Sequence, residues 1–280
     1  MRKVLFTITC LLFVAGCQNA SKETSISPSV DADINTKLQM RADSIGHAET
    51  YMNDFATVMR IMVVDNDGCL AVDGLYESAP SYSTTGNDHF RFEPGRLFLP
   101  VLMASIPEPD TAMMLPVGSK TYGDGECISD SHRFFDTVIG AVQDSMTLHQ
   151  VLAYGSNVAM ASLGEVYYYQ NRASLAKLIG EMLPGSKMTV DITNDKGFYS
   201  ICTGHGFKVD MPTILKCYLR EDVVRWLPEG MMTTLYNSGY RVLNICIKRC
   251  GKYIGLIVVE DSRTDGKLAE RVLDSVFVMF

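Results

Sequence analysis

The sequence has no block of basic residues. Lys and Arg number 25 against 32 Asp and Glu, a net charge of −7, so no phosphate-neutralising surface and no nucleic-acid partner is expected. It has no apolar run of the roughly 20 residues that a bilayer-spanning helix needs. Nucleotide and dinucleotide signatures (P-loop, GxGxxG) are missing, as are HExxH and GxSxG. Histidine is sparse: His47, His89, His132, His149 and His205 are scattered, which argues against a histidine-based metal or catalytic cluster. There is no CxxC pair. Cys246 and Cys250 stand close but lack a nearby histidine, so they read as small apolar residues rather than metal ligands. No metal and no cofactor is expected.

What is present is ordinary globular composition, 47% hydrophobic and 20% charged over 280 residues, enough for one or two domains with a sizeable core. The N-terminus reads as an address. Met1-Arg2-Lys3 is a basic start, and Val4 to Ala15 is nearly continuous apolar sequence, too short to span a membrane and suited to a signal peptide. The run closes as Leu12-Phe13-Val14-Ala15-Gly16-Cys17. Small residues before a cysteine resemble a bacterial lipoprotein cleavage box, which would make residues 1–16 a signal peptide and Cys17 a lipid attachment site. Residues 17–35, rich in Ser, Thr and Asp, read as a flexible tether. The domain is expected over 36–280. Six cysteines then remain (Cys69, Cys127, Cys202, Cys217, Cys246, Cys250), an even count that allows disulfides in an oxidising space without a dense framework.

Periodicity predicts a helix over 36–56 and a strand from Thr57 to Val64. The turn Asp65-Asn66-Asp67-Gly68 returns a second strand, Cys69 to Val72. Residues 77–91 are polar and turn-rich. Helices are predicted at Leu97–Ser105, Thr147–Tyr154, Asn157–Tyr169, Ala173–Leu183, Pro212–Leu219 and Lys267–Val278, and strands at Arg241–Lys248 and Lys252–Glu260. Strands at both ends with helices between predict an α+β domain in which both ends build one antiparallel sheet.

One string carries more. Phe92-Glu93-Pro94-Gly95-Arg96-Leu97-Phe98-Leu99-Pro100 resembles the F/Y-E-P-G-S-T-F-K-P segment of penicillin-binding protein transpeptidase domains, where Ser-x-x-Lys opens a helix and the amine takes the hydroxyl proton. Five further segments follow in the same order as in that family. Arg60 to Ala71 resembles the opening hairpin, and Asp130-Ser131-His132 resembles a stretch of the cell-division members. Val151 to Met160 resembles the helix-loop-helix of the second motif. Gly204-His205-Gly206-Phe207-Lys208-Val209-Asp210-Met211-Pro212-Thr213 is similar to G-x-G-x-x-V-T-P-L-Q, and Lys252 to Glu260 to the penultimate strand. The resemblance spans roughly residues 57–280. It implies a serine β-lactamase/transpeptidase-like fold, an antiparallel sheet with flanking helices and a helical subdomain. It also implies a place in the bacterial cell envelope, with peptidoglycan stem peptides or cell-wall synthesis enzymes as partners.

The departures decide the chemistry. Arg96 stands where the resemblance expects the serine nucleophile, Leu99 where it expects the lysine, and Gly155 where it expects the relay serine; Asn157 alone is kept there. No Lys-Thr-Gly precedes the last strands, and Asn237-Ser238-Gly239 is the nearest substitute. Arginine has no oxygen to acylate and leucine accepts no proton. The expectation is therefore a protein with no catalytic residues that acts as a binding, scaffold or regulatory module. Arg96, Asn157, Gly204 and Gly206 are its candidate ligand contacts. Other readings stay open at this point. The chain could be an enzyme with another nucleophile (Ser105, Ser156 or Thr203), or a lipoprotein that only binds other proteins. Arg96 could meet an anion or pair with Glu93 or Asp130. Leu99 could be core, Asn157 a helix cap, and the two glycines purely backbone devices.

Overall fold

The computed structural model describes residues 27–28, 32–52, 56–77, 91–130, 135–136, 141–228, 231–238, 241–261 and 267–278. Six strands make the main sheet: β1 (Ser27–Pro28), β2 (Ala56–Asp65), β3 (Cys69–Glu77), β4 (Met231–Ser238), β5 (Arg241–Cys250) and β6 (Tyr253–Asp261). Their order is β1-β3-β2-β6-β5-β4. All neighbours are antiparallel except β1, which runs parallel to the start of β3. The central pairing of β2 with β6 joins the two ends of the chain, as predicted.

Alternation along the central strands builds two cores, because successive side chains leave a strand on opposite faces. Met59, Ile61 and Val63 of β2 and Ile257 and Val259 of β6 face one cluster. Met62 and Val64, with Ile254, Leu256 and Val258, face the other. The first cluster is covered by α1 (Ala32–Met52) and a C-terminal helix (Leu268–Phe277). Gly255 lets that last helix come close: a β-carbon there would stand 2.8 Å from Leu273 Cδ1 and from Phe277 Cζ. The second, larger cluster is covered by α2 (Leu99–Ala104), α3 (Leu148–Tyr154), α4 (Asn157–Tyr168), α5 (Arg172–Met182), α6 (Asp195–Cys202), α7 (Met211–Tyr218) and α8 (Glu221–Val224); the C-terminal helix is α9.

The predicted helices appear within a few residues of their expected bounds. α1 begins at Ala32, four residues earlier than predicted, and ends at Met52, so it takes in the last residues of the stretch expected to be a tether. The helix predicted over Leu97–Ser105 is divided: Gly95–Phe98 is a 3-10 turn, and α2 follows. Elements that were not predicted include β1, β4, α6 and α8. Residues 78–90, the turn-rich stretch, lie outside the described residues, as do Cys17, His89, Ser131, His132 and Gly239. Among the described residues no helix is long and apolar enough to cross a membrane. Burial raises the thiols of Cys202 and Cys217 above the ordinary thiol range, Cys217 to about 12, which fits cysteines used as small apolar core residues.

Candidate functional site

The first motif is fixed from below and from the side. Leu97, Phe98 and Leu99 are fully buried, and Phe98 meets Phe207 edge-on at 5.1 Å. Tyr218 of α7, itself buried, donates to the Leu97 carbonyl at 2.8 Å. Strand β4 packs along the 3-10 turn. From the side, Gly95 N donates to Gly204 O at 2.9 Å. That approach needs a glycine: a β-carbon on Gly204 would lie 2.1 Å from Gly95 O, and φ is +75°. Two residues before Gly95, the Glu93 carboxylate receives Gly206 N at 3.4 Å and lies 3.2 Å from His205 Nδ1. Phe92 and Val209 exchange backbone hydrogen bonds at 3.0 and 2.9 Å. Gly204 and Gly206 thus shape the loop that clamps the motif.

The second motif is a hinge between two helices. α3 opens on a capping box in which Thr147 and Gln150 satisfy each other's backbone N–H groups. It ends at Gly155, with φ +70°. Ser156 then caps α4, its Oγ accepting from Ala159 N at 3.0 Å and donating to Asp130 Oδ2 at 2.8 Å. Asp130 also receives Gly118 N at 2.7 Å and Val158 N at 3.3 Å. The helix cap expected at Asn157 is therefore Ser156. Asn157 is the first residue of α4 and half-buried, and its side chain makes no hydrogen bond to another described residue. Replacing Ser156 with Ala removes a cap and takes one of two donors from the half-buried Asp130 Oδ2. We expect a loss of about 2 kcal/mol, read as a fall of roughly 4–8 °C in Tm.

Arg96 and Gly155 come into direct contact. A β-carbon on Gly155 would stand 1.8 Å from Arg96 Nε, 2.3 Å from Cζ and 2.5 Å from Cδ. The arginine side chain runs over the bare backbone of Gly155. Its Nη2 donates to the Ala153 carbonyl at 3.3 Å, while Nε is shut off from solvent with no hydrogen-bond partner among the described residues. Burial lowers the pKa of the guanidinium, since desolvation disfavours the charged form. The ion pair considered for Arg96 does not form: Glu93 is engaged with His205, and Asp130 with Ser156. Leu99 is core, with 0% exposure.

The structure brings Arg96, Gly155 and Asn157 to one place, beside the Gly204 loop. Asn237 and Ser238 are the last residues of β4, opposite Val242 and Arg241, at the hairpin end of that strand. The candidate replacement hydroxyls are all engaged in local structure. Ser105 donates to Leu102 O at 2.5 Å and meets the Tyr168 hydroxyl, Thr203 donates to Ser200 O at 2.9 Å, and Ser156 is the cap. Among the described residues no lysine amine is bonded to any of the three. Tyr218 and the Glu93–His205 pair were not foreseen. Among the described residues no group of three His, Cys, Asp or Glu side chains is gathered as a metal site would require.

No protein-family model matches the sequence, and neither does any curated protein sequence. Solved structures do match. A peptidoglycan glycosyltransferase from Burkholderia ambifaria aligns with a TM-score of 0.65 at 14% identity, over 87% of this chain and 94% of that one. The transpeptidase domain of the FtsI4 D,D-transpeptidase from Legionella pneumophila gives 0.57 at 14%, over 90% and 97%. Penicillin-binding protein 2B from Streptococcus pneumoniae gives 0.62 at 10%, over 90% and 58%. The chain has the fold of penicillin-binding protein transpeptidase domains.

Proposed function

We propose that this protein is a lipid-anchored, non-catalytic relative of the class B transpeptidases, a scaffold or regulatory module of peptidoglycan synthesis in the bacterial cell envelope. Cleavage after residue 16 and lipid on Cys17 would hold it at the membrane. Its partners on this reading are stem peptides or the wall-synthesis enzymes themselves. The fold supports the reading, and one observation carries it. At the positions where the resemblance expects two serines there is an arginine side chain lying on a glycine, and the position expected to hold the lysine is a fully buried leucine. That arrangement holds no nucleophilic oxygen and no amine to receive its proton. Without a nucleophile the covalent route is closed, and only weak residual catalysis from binding survives.

Purified protein incubated with a fluorescent penicillin is expected to carry no covalent label after denaturing electrophoresis, where an active transpeptidase domain run alongside is labelled. A label that maps to any residue of this chain would overturn the assignment and favour an enzyme with a different nucleophile.

A further inference from the structure

Resting on that reading, we infer that Arg96 is the resident occupant of the site, a side chain that plugs its own cleft, so that the site is closed to non-covalent ligands as well as to acylation. The first observation is steric. Three successive atoms of the arginine, Cδ, Nε and Cζ, occupy the space that any side chain on residue 155 would need. The second is the state of Nε. A guanidinium set up to receive an anion presents its N–H fork to solvent or ligand; here Nε is shut off from solvent with no acceptor among the described residues, and Nη2, at the part-exposed end of the side chain, is turned onto the Ala153 carbonyl. The third is the absence of a carboxylate on Arg96 among the described residues. What holds the side chain is close packing on Gly155 and one long hydrogen bond to Ala153 O.

Residues 96 and 155 therefore form one unit in which bulk gained at the first position requires bulk absent at the second. The transpeptidase pattern that the sequence resembles has two small hydroxyl side chains at these positions; this chain has one large side chain and none. Of the two kinds of partner proposed above, the stem peptide is then excluded from this cleft, and the wall-synthesis enzymes remain.

The test combines ligand binding with a mutant cycle, both read as melting temperature. For the native protein, neither an N-acyl-D-Ala-D-Ala peptide nor benzylpenicillin at millimolar concentration should shift Tm. Arg96→Gly opens a cavity of guanidinium shape, so methylguanidinium at ten times its Kd should raise the Tm of that variant by about 3–6 °C and leave the native protein unmoved. Gly155→Ser should lower Tm clearly more in the native background than on Arg96→Ser. Should Arg96→Gly fail to fold, the Gly155→Ser comparison decides alone. Binding of the peptide or of penicillin to the native protein would overturn the plug, as would equal Tm losses for Gly155→Ser in the two backgrounds. Peptide binding without covalent label would sink this inference and leave the non-catalytic assignment standing, whereas covalent label would sink the assignment.

Discussion

Leu99→Lys, the change that restores half of the Ser-x-x-Lys pattern, is expected to destabilise the domain by about 7 kcal/mol at pH 7. Leu99 has no exposure and sits in the larger core cluster. A lysine there would have to fold neutral, with a pKa pushed several units below its solution value. It would also forfeit the transfer free energy of the leucine, about 2 kcal/mol. The sign with pH follows from linkage: the unfolded chain binds the lysine proton and the folded chain does not, so stability rises as pH increases toward the unfolded pKa. Urea denaturation should therefore recover about 3 kcal/mol between pH 7 and pH 9.5 in this variant and not in the native protein. A variant as stable as the native chain at pH 7 would show that position 99 is still lined for an amine, and that the catalytic pattern could be repaired one residue at a time.

Gly204→Ala should cost about 3–5 kcal/mol, and Gly206→Ala much less. Both positions have left-handed backbone, with φ of +75° and +86°, so both alanines pay a similar conformational penalty of roughly 1–2 kcal/mol. Their surroundings differ. The new methyl group at 204 would meet backbone alone, Gly95 O at 2.1 Å, C at 2.7 Å and Cα at 2.8 Å. At 206 the tightest contacts are side-chain atoms, Val190 Cγ2 at 2.7 Å and Ser200 Oγ at 3.0 Å, which can turn aside without moving backbone. Backbone cannot step aside without giving up the Gly95–Gly204 hydrogen bond that holds the 3-10 turn. Equal losses for the two variants, measured by equilibrium denaturation, would mean that only the dihedral angles matter and that the close approach carries no energy.

Much of the frame was legible in the amino-acid order. β2, β5 and β6 announce themselves by alternation between two buried faces, and Asp65-Asn66-Asp67-Gly68 marks the hairpin: Asp65 Oδ1 accepts from the backbone N–H groups of Asp67 and Cys69 at 3.0 and 2.8 Å. β4 was missed because an edge strand with Met, Thr and Asn has neither strict alternation nor a β-branched run. α6 was missed because Gly197 sits in its first turn; that glycine is needed there, since a β-carbon would strike the Asp191 carbonyl at 1.9 Å. At the site, three odd residues could be picked out as departures from a resembling pattern. Their relation could not: Arg96 and Gly155 are far apart in sequence, and only folding shows that one side chain lies where the other is missing. The cap moved from Asn157 to Ser156 because capping turns on the dihedrals of one residue, and Ser156 is extended while Asn157 is already helical.

The two-residue strand β1 bears on where such a domain could work. Ser27 and Pro28 are stitched to Cys69 and Leu70 at the outer edge of the sheet. With lipid on Cys17, as proposed, only the chain from 17 to 27 is left as a leash, and at full stretch it pays out about 35 Å. The stitched edge would then stay within that radius of the bilayer surface. Enzymes that build wall next to the membrane would fall inside its reach, and anything bound farther out in the mature wall would not.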